Sequence, residues 1–172
     1  DVCSSDLGYY IRPRQVRLIA YKTWNFDTDP PKISRDNPLP ATSADLSAFK
    51  RRGGKMIFYH GASDPGPSVQ YTIRYFNRLT PQNEAQDFAK LYLVPGMGHC
   101  RGGPAPDQFD LLTPLVNWVE KGIAPDSVIA SGRNFPTSPT ARTHPLCAYP
   151  KTARYSGPPG GDIGDAANFT CQ

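Results

Sequence analysis

Two short apolar runs, 56–59 and 91–94, are each followed by a Gly/Pro-rich turn that carries one acidic residue or one histidine. The first run is almost uninterrupted, which is typical of a strand buried on both faces of a parallel sheet. Residues 68–79, between the runs, place apolar side chains at the spacing of an amphipathic helix. The order strand, helix, strand predicts a right-handed parallel unit and an α/β fold. The apolar triplet 128–130 is predicted as an edge strand.

Two further helices have recognisable boundaries in the sequence. Ser43 or Asp45 is predicted to cap a short helix, because a side-chain oxygen at that position satisfies free backbone N–H groups of the first turn. Thr113 is predicted to cap the other helix, with Pro114 in its first position. Gly122 is expected to end that helix, since glycine readily adopts the left-handed conformation found at helix ends.

One acid and one potential base, Asp64 and His99, come a few residues after the two predicted strands. Sites in parallel α/β sheets form at the C-terminal ends of the strands, so the two side chains are expected to lie close together. A neutral imidazole can take a proton from a nucleophile and pass it to a leaving group, while a carboxylate fixes its tautomer. On the residues alone, an ordinary Asp-Pro turn and an ordinary loop histidine remain alternatives.

The segments 53–68 and 91–103 together resemble the tannase and feruloyl esterase family. The motifs at 115–126, 145–150 and 168–171 strengthen this resemblance. It implies an α/β-hydrolase with a triad in the chain order Ser, Asp, His. It also implies a serine carboxylesterase whose substrates are esters of phenolic acids, such as gallate or hydroxycinnamate, and whose chemistry needs no cofactor.

The resemblance assigns roles to individual residues. Asp64 is the triad acid and His99 the base. Cys100 is one half of a disulfide whose other half, in the family, is a cysteine beside the nucleophilic serine. The chain departs from the family at 66–67, where larger apolar residues are expected, and at Arg101. These departures would alter a rim that faces the substrate without touching the triad.

The family's nucleophile turn, Gly-Cys-Ser-x-Gly, does not occur in this sequence. The Cys3-Ser4 pair lacks the flanking glycines that a nucleophile elbow needs. It also precedes Asp64 by too few residues for the lid that the family inserts between serine and acid. Residues 1–7 match the translation of a common sequencing-adapter end and are expected to be non-native.

The expected fold is therefore the C-terminal part of an α/β-hydrolase parallel sheet, with flanking helices and a disulfide-clipped tail. Residues 8–44 are expected to be the end of the lid domain and its return linker, and residues 45–172 the C-terminal part of the catalytic domain. Such a chain lacks the nucleophile segment and is expected to be inactive alone. Any calcium site in the family's lid would lie in the missing segment.

Cys147 and Cys171 bracket a tail that is rich in proline and glycine and poor in hydrophobic residues. Such a tail cannot order itself by burial, so a disulfide between the two cysteines is the expected device, with two free buried thiols as the alternative. Closing a loop of this length contributes on the order of 3 kcal/mol. Stapled tails are typical of exported proteins, which predicts a secreted or periplasmic location.

Charge, composition and residue spacing argue against a nucleic-acid-binding protein, a membrane-spanning protein and a zinc protein. The formal net charge is +4 and the basic residues are scattered, so the short run 50–52 is interpreted as a solvated helix end rather than a nucleic-acid surface. No apolar stretch approaches the length of a membrane span. The spacing of His60, Asp64 and His99 matches no zinc signature. His60 is interpreted as a packing or hydrogen-bonding residue, and His144 as a surface loop residue.

Two other classes remain open at the level of sequence. One is a complete enzyme that uses Ser4 as its nucleophile. The other is a non-catalytic, disulfide-stapled, secreted binding module. The sequence names neither the acyl nor the alcohol group of a substrate, and it does not give the oligomeric state.

Overall fold

The structure, a computed structural model, describes residues 25, 27–28, 43–79, 85–133, 135 and 141–172. The chain divides into two units, Asp1–Ser43 and Ala44–Gln172. The predicted non-native residues 1–7, with Cys3 and Ser4, lie outside the described residues, as does nearly all of the predicted lid segment.

The described part of the first unit includes one local turn. The side-chain oxygen Oδ1 of Asn25 accepts hydrogen bonds from the backbone N–H groups of Asp27, at 2.9 Å, and Thr28, at 3.1 Å. This is an Asx turn, in which a side chain replaces a backbone acceptor.

Helices and strands alternate along the described part of the second unit as far as residue 132, and only strands and one short 3₁₀ helix follow. Its described elements, in chain order, are α1 (Ser47–Arg51), β1 (Met56–Gly61), α2 (Val69–Arg78), β2 (Ala89–Val94), α3 (Leu112–Lys121), β3 (Ser127–Gly132), β4 (Arg142–Cys147), β5 (Ala153–Tyr155), a 3₁₀ helix (Ala166–Asn168) and β6 (Phe169–Cys171).

The predicted parallel pair is present. β1 runs parallel to β2, and its register extends from Met56 opposite Ala89 to Gly61 opposite Val94. The other two strand pairs, β3–β4 and β5–β6, are antiparallel. The predicted edge strand 128–130 is the centre of β3. Within the described residues, the parallel part of the fold is therefore the β1–β2 pair that precedes the tail.

β2 lies between two hydrophobic clusters. Because side chains alternate along a strand, Leu91 packs on one side, with Phe76 and Phe88, and Tyr92 and Val94 pack on the other. Every residue of β2 except Leu93 is buried. The hydroxyl of Tyr92 donates to the carbonyl of Pro125 at 2.6 Å, which satisfies its one polar group inside the core.

The prediction that the 56–59 run is buried on both faces is wrong for this chain. Tyr59 is 41% exposed, and the other β1 residues before Gly61 are only partly buried. Among the described strands β1 pairs only with β2, so one of its edges has no strand neighbour. The more deeply buried strand is β2, which has β1 on one side and a bridge from Tyr92 to Ala148 on the other.

Side-chain oxygens bond the first turns of α1 and α2, and of the two residues that supply them Asp45 was predicted as a cap and Ser68 was not. The Asp45 carboxylate accepts from the N–H of Ser47 at 3.0 Å at the start of α1. Ser68 is the N-cap of α2, where its hydroxyl oxygen accepts from the N–H of Gln70 at 3.3 Å.

The predicted start of α3 is wrong, but its predicted end is correct. The carboxylate of Asp110 accepts from the N–H groups of Leu112, at 2.8 Å, and Thr113, at 3.1 Å, so the helix begins before Thr113. Pro114 is then in the third helical position, where a missing N–H costs nothing. Gly122 ends the helix in the left-handed conformation, with φ of 72°.

None of the helices in the described residues is both long and apolar enough to span a lipid bilayer.

Candidate active site

The acid-bearing turn and the histidine loop leave the sheet side by side. β1 and β2 end in register at Gly61 and Val94. The pairing continues beyond the strands, because the N–H of Ala62 donates to the carbonyl of Val94 at 2.9 Å and that of Ser63 to Met97 at 3.0 Å. Backbone hydrogen bonds therefore hold the two segments together immediately before Asp64 and His99.

Gly61 makes this close approach possible. A Cβ atom at Gly61 would collide with the backbone carbonyls of Met97 and Gly98. Met97 is itself fully buried and packs in the same cluster as Tyr92, so its backbone cannot give way easily. Glycine is the one residue that lets the two loops touch at this point.

The structure brings Asp64 and His99 into direct contact. Nδ1 of His99 lies 2.7 Å from Oδ2 of Asp64, and the two side chains are 33% and 5% exposed. A carboxylate can only accept, so Nδ1–H of His99 is the donor. In the neutral ring the lone pair is then on Nε2, which is the nitrogen that a general base uses in a triad.

The local environment keeps Asp64 ionised. Burial by itself would raise the pKa of its carboxyl group, but the hydrogen bonds from His99 and from the N–H of Gly66, at 2.7 Å, together with the charges of His99 and His60, outweigh burial. The net result is a pKa below the usual value for aspartate. A negative Asp64 is the form that stabilises an imidazolium at His99.

His60 also approaches the same carboxylate. Its Nε2 lies 3.6 Å from Oδ2 of Asp64 and 3.0 Å from the carbonyl oxygen of Pro67, while its Nδ1 lies 2.7 Å from the hydroxyl of Thr72. The predicted hydrogen-bonding role of His60 is therefore observed. Its approach to Asp64 was not predicted, and the only sequence signal for it is the four-residue spacing at the end of a strand.

The loop that carries His99 is folded on itself. The N–H of Gly98 donates to the carbonyl of Gly102 at 3.0 Å, and that of Arg101 donates to His99 at 2.7 Å. The carboxylate of Asp107 accepts from the N–H of Gly102 at 2.9 Å. These bonds place the His99 ring on a closed turn rather than on an extended loop.

Cys100, next to His99, has a backbone φ of +62°, a conformation that residues other than glycine rarely adopt. It is disulfide-bonded. The predicted pairing of Cys100 with a cysteine beside the catalytic serine, in a segment missing from this sequence, stays a prediction.

The second predicted disulfide is present. Cys147, at the end of β4, is bonded to Cys171, at the end of β6, with their Cα atoms 5.6 Å apart. It ties the Pro/Gly-rich tail to the strand pair β3–β4.

The description of His144 as a surface loop residue is wrong. His144 belongs to β4, and its ring packs against that of Phe169 with centroids 4.6 Å apart. Burial lowers the pKa of this imidazole, and a hydrogen bond with the Pro145 carbonyl partly opposes that effect. His144 therefore has a structural place in the tail.

Among the described residues, no group of three or more His, Cys, Asp and Glu side chains is arranged to hold a metal ion.

A parallel strand pair that carries an acid and a histidine at neighbouring C-terminal ends is the arrangement of an α/β-hydrolase. The family model for tannase and feruloyl esterase matches residues 15–172. The chain belongs to the tannase and feruloyl esterase family.

Individual relatives agree with this assignment. The chain is 51% identical, over 159 residues, to a mono(2-hydroxyethyl) terephthalate hydrolase of Piscinibacter sakaiensis, covering 86% of this chain and 26% of the relative. It is 34% identical, over 176 residues, to a probable feruloyl esterase of Arthroderma benhamiae, covering 91% of this chain and 32% of the relative.

The solved structures agree as well. The crystal structure of feruloyl esterase B from Aspergillus oryzae superposes with a TM-score of 0.68 at 28% identity, over 87% of this chain and 33% of that one. The chain thus spans about a quarter to a third of the length of the relatives cited here.

Proposed function

We propose that this chain is the acid- and base-bearing part of a serine carboxylesterase that hydrolyses esters of aromatic acids. The observation that carries the proposal is the 2.7 Å hydrogen bond between Asp64 and His99 at the ends of two paired strands. A hydrogen bond of this kind sets the tautomer of a histidine that must accept a proton at Nε2.

In the proposed reaction, a serine hydroxyl attacks the ester carbonyl while Nε2 of His99 takes its proton. The resulting imidazolium is stabilised by Asp64 and protonates the departing alcohol as the carbon–oxygen bond to that alcohol breaks. Water then repeats the sequence on the acyl-serine and releases the acid. Neither step needs a cofactor. We propose that the serine, the lid and most of the oxyanion hole come from a segment outside this sequence.

The proposed substrate class rests on what the relatives act on. Their names specify esters of terephthalic and ferulic acids, and a third solved neighbour is the tannin acyl hydrolase of Aspergillus niger. The chemistry common to these is an ester whose acyl group is an aromatic acid. Secretion or export to the periplasm is proposed on the Cys147–Cys171 disulfide, since disulfides persist in oxidising compartments.

A chimera tests the proposal directly. Residues 15–172 would replace the matching part of the Piscinibacter sakaiensis relative, and the product would be assayed on mono(2-hydroxyethyl) terephthalate and on a feruloyl ester. The chimera is expected to hydrolyse at least one of them. His99→Ala and Asp64→Asn are expected to lower kcat by about 10³-fold or more. Asp87→Asn, at an exposed acid away from the site, is the matched control and should change little.

An assay of the isolated chain, without the relative's segment, is the complementary test. It is expected to show no turnover and no labelling by a serine-directed probe. Turnover that disappears in Ser4→Ala would overturn the proposal in favour of a complete enzyme. A folded chimera without activity would instead favour the non-catalytic binding module.

A further inference from the structure

His60 makes more contacts around the proposed acid than a packing residue requires. Its side chain is only 10% exposed, and both ring nitrogens are engaged. Through them, one imidazole joins the end of β1 to the acid-bearing turn at Pro67 and to the first turns of α2 at Thr72.

The hydrogen-bond partners determine which tautomer the neutral His60 ring adopts. The Pro67 carbonyl can only accept, so the proton of His60 is on Nε2. Nδ1 then accepts from the hydroxyl of Thr72. The N–H edge of the ring therefore faces the Pro67 carbonyl and, at 3.6 Å, Oδ2 of Asp64. This oxygen is also the one that accepts from His99.

The two carboxylate oxygens of Asp64 are thus held from different directions. Oδ1 accepts from the N–H of Gly66 within the same turn, whereas Oδ2 faces both imidazoles. The bond to Gly66 lies within the turn, so it cannot fix the position of the turn relative to the strand and the helix. The bonds of His60 to Pro67 and Thr72 connect that turn to the strand and to the helix.

We propose that His60 is a positioning residue, which holds the Asp64–Pro67 turn between β1 and α2 and so keeps Oδ2 of Asp64 directed at His99. The inference rests on the proposed function in taking Asp64 and His99 as the acid and base. It assigns His60 no contact with a substrate or with reacting atoms.

The experiment is histidine NMR on the full 172-residue chain, which contains only three histidines. Long-range ¹H–¹⁵N spectra report the tautomer of each ring, and the downfield Nδ1–H signal of His99 reports its bond to Asp64. His60 is expected to be the Nε2–H tautomer. His60→Leu should abolish the His99 downfield signal, while His60→Gln, whose amide can donate near the position of Nε2, should retain it.

Two further variants separate positioning from folding. Thr72→Val keeps the shape of Thr72 but removes its hydroxyl, and it should weaken the His99 signal without unfolding the chain. If His60→Leu does not fold, Thr72→Val tests the positioning role of His60 in its place. His144→Gln alters a histidine on β4 and should leave the His99 signal unchanged.

An unchanged His99 signal in folded His60→Leu, or in Thr72→Val if the leucine variant does not fold, would overturn the positioning role. An Nδ1–H tautomer of His60 in the unsubstituted chain would do the same. The measurement needs no serine and no turnover. A signal that depends on His60, together with an inactive chimera, would therefore support the positioning role and overturn only the proposed function.

Discussion

Gly61 faces the carbonyl group of Gly98 with no room for a side chain between them, and this contact joins the acid-bearing turn to the histidine loop. Gly61→Ala is expected to destabilise the chain by about 1–3 kcal/mol, because the new methyl group must push buried backbone apart. The measurement is the free energy of unfolding in urea, together with the Nδ1–H signal of His99.

Gly98→Ala is the matched control for that substitution. A Cβ atom at Gly98 meets its nearest neighbour, the Arg101 carbonyl, at 3.5 Å, which is ordinary contact. This variant should stay within about 0.5 kcal/mol of the unsubstituted chain. Equal effects of the two alanines would contradict the close-approach argument.

Acid is expected to destabilise the chain through Asp64. Because the pKa of this carboxyl group is lower in the folded state than in the unfolded state, ionised Asp64 stabilises the fold above about pH 4. That contribution is lost as the pH falls through the lower folded-state pKa. Urea midpoints measured from pH 6 to pH 3 should fall less steeply for Asp64→Asn than for the unsubstituted chain.

Asp45 and Asp110 also have lowered pKa values, chiefly through hydrogen bonds with Ser47 and Thr113, and both lose stabilisation in the same direction. Both groups are present in Asp64→Asn and in the unsubstituted chain, so the difference between the pH curves of these two proteins isolates the contribution of Asp64. Parallel curves for Asp64→Asn and the unsubstituted chain would count against a stabilising carboxylate at this site.

A second pH effect is expected from His144. Burial lowers the pKa of this imidazole, so the unfolded chain takes up its proton at a higher pH than the folded chain does. Stability should therefore fall as the pH drops below about 6.5. The melting temperature at pH 7.5 and at pH 5 should differ less in His144→Gln than in the unsubstituted chain.

Tyr92→Phe tests the core beside β2. The substitution leaves the Pro125 carbonyl without the hydroxyl that donates to it at 2.6 Å, so the expected cost is about 1–3 kcal/mol. Tyr71→Phe is the control, since Tyr71 is 69% exposed and its substitution should be nearly neutral. Chemical denaturation of both variants measures the difference.

Removing the tail disulfide should loosen the tail but not the site. Replacing both Cys147 and Cys171 by serine opens a loop with a sequence separation of 24, at an expected cost of about 3 kcal/mol. Amide exchange should accelerate in β5 and β6, while the His99 Nδ1–H signal persists. Loss of that signal would show that the tail supports the site, contrary to this expectation.

The sequence predicted the parts of the fold that follow a simple period. The β1–α2–β2 unit and the adjacency of Asp64 and His99 follow from apolar spacing and from the chirality of parallel connections. The start of α3 could not be predicted in the same way. Asp110 and Thr113 are both good caps, and only the backbone path shows that Asp110 accepts the free N–H groups.

Neither the strands of the tail nor the approach of His60 to Asp64 could be predicted from the sequence, and the reasons differ. β5 and β6 are three residues each, too short to show alternation, and their pairing accompanies the disulfide. The approach of His60 to Asp64 depends on how the Pro65–Pro67 turn folds back. A turn with two prolines and a glycine gives no periodic signal from which that path can be derived.

The hydrogen bond from Gly66 to Asp64 uses a backbone N–H. Backbone hydrogen bonds also join the two loops, from Ala62 to Val94 and from Ser63 to Met97. Every amino acid except proline brings the same N–H to position 66. Substitutions at the exposed positions 67 and 101 leave these backbone bonds in place, whereas a side chain at 66 would bring its Cβ to 3.2 Å from Oδ1 of Asp64. The rim can therefore change at 67 and 101 while the spacing of two neighbouring strands still sets the distance between acid and base.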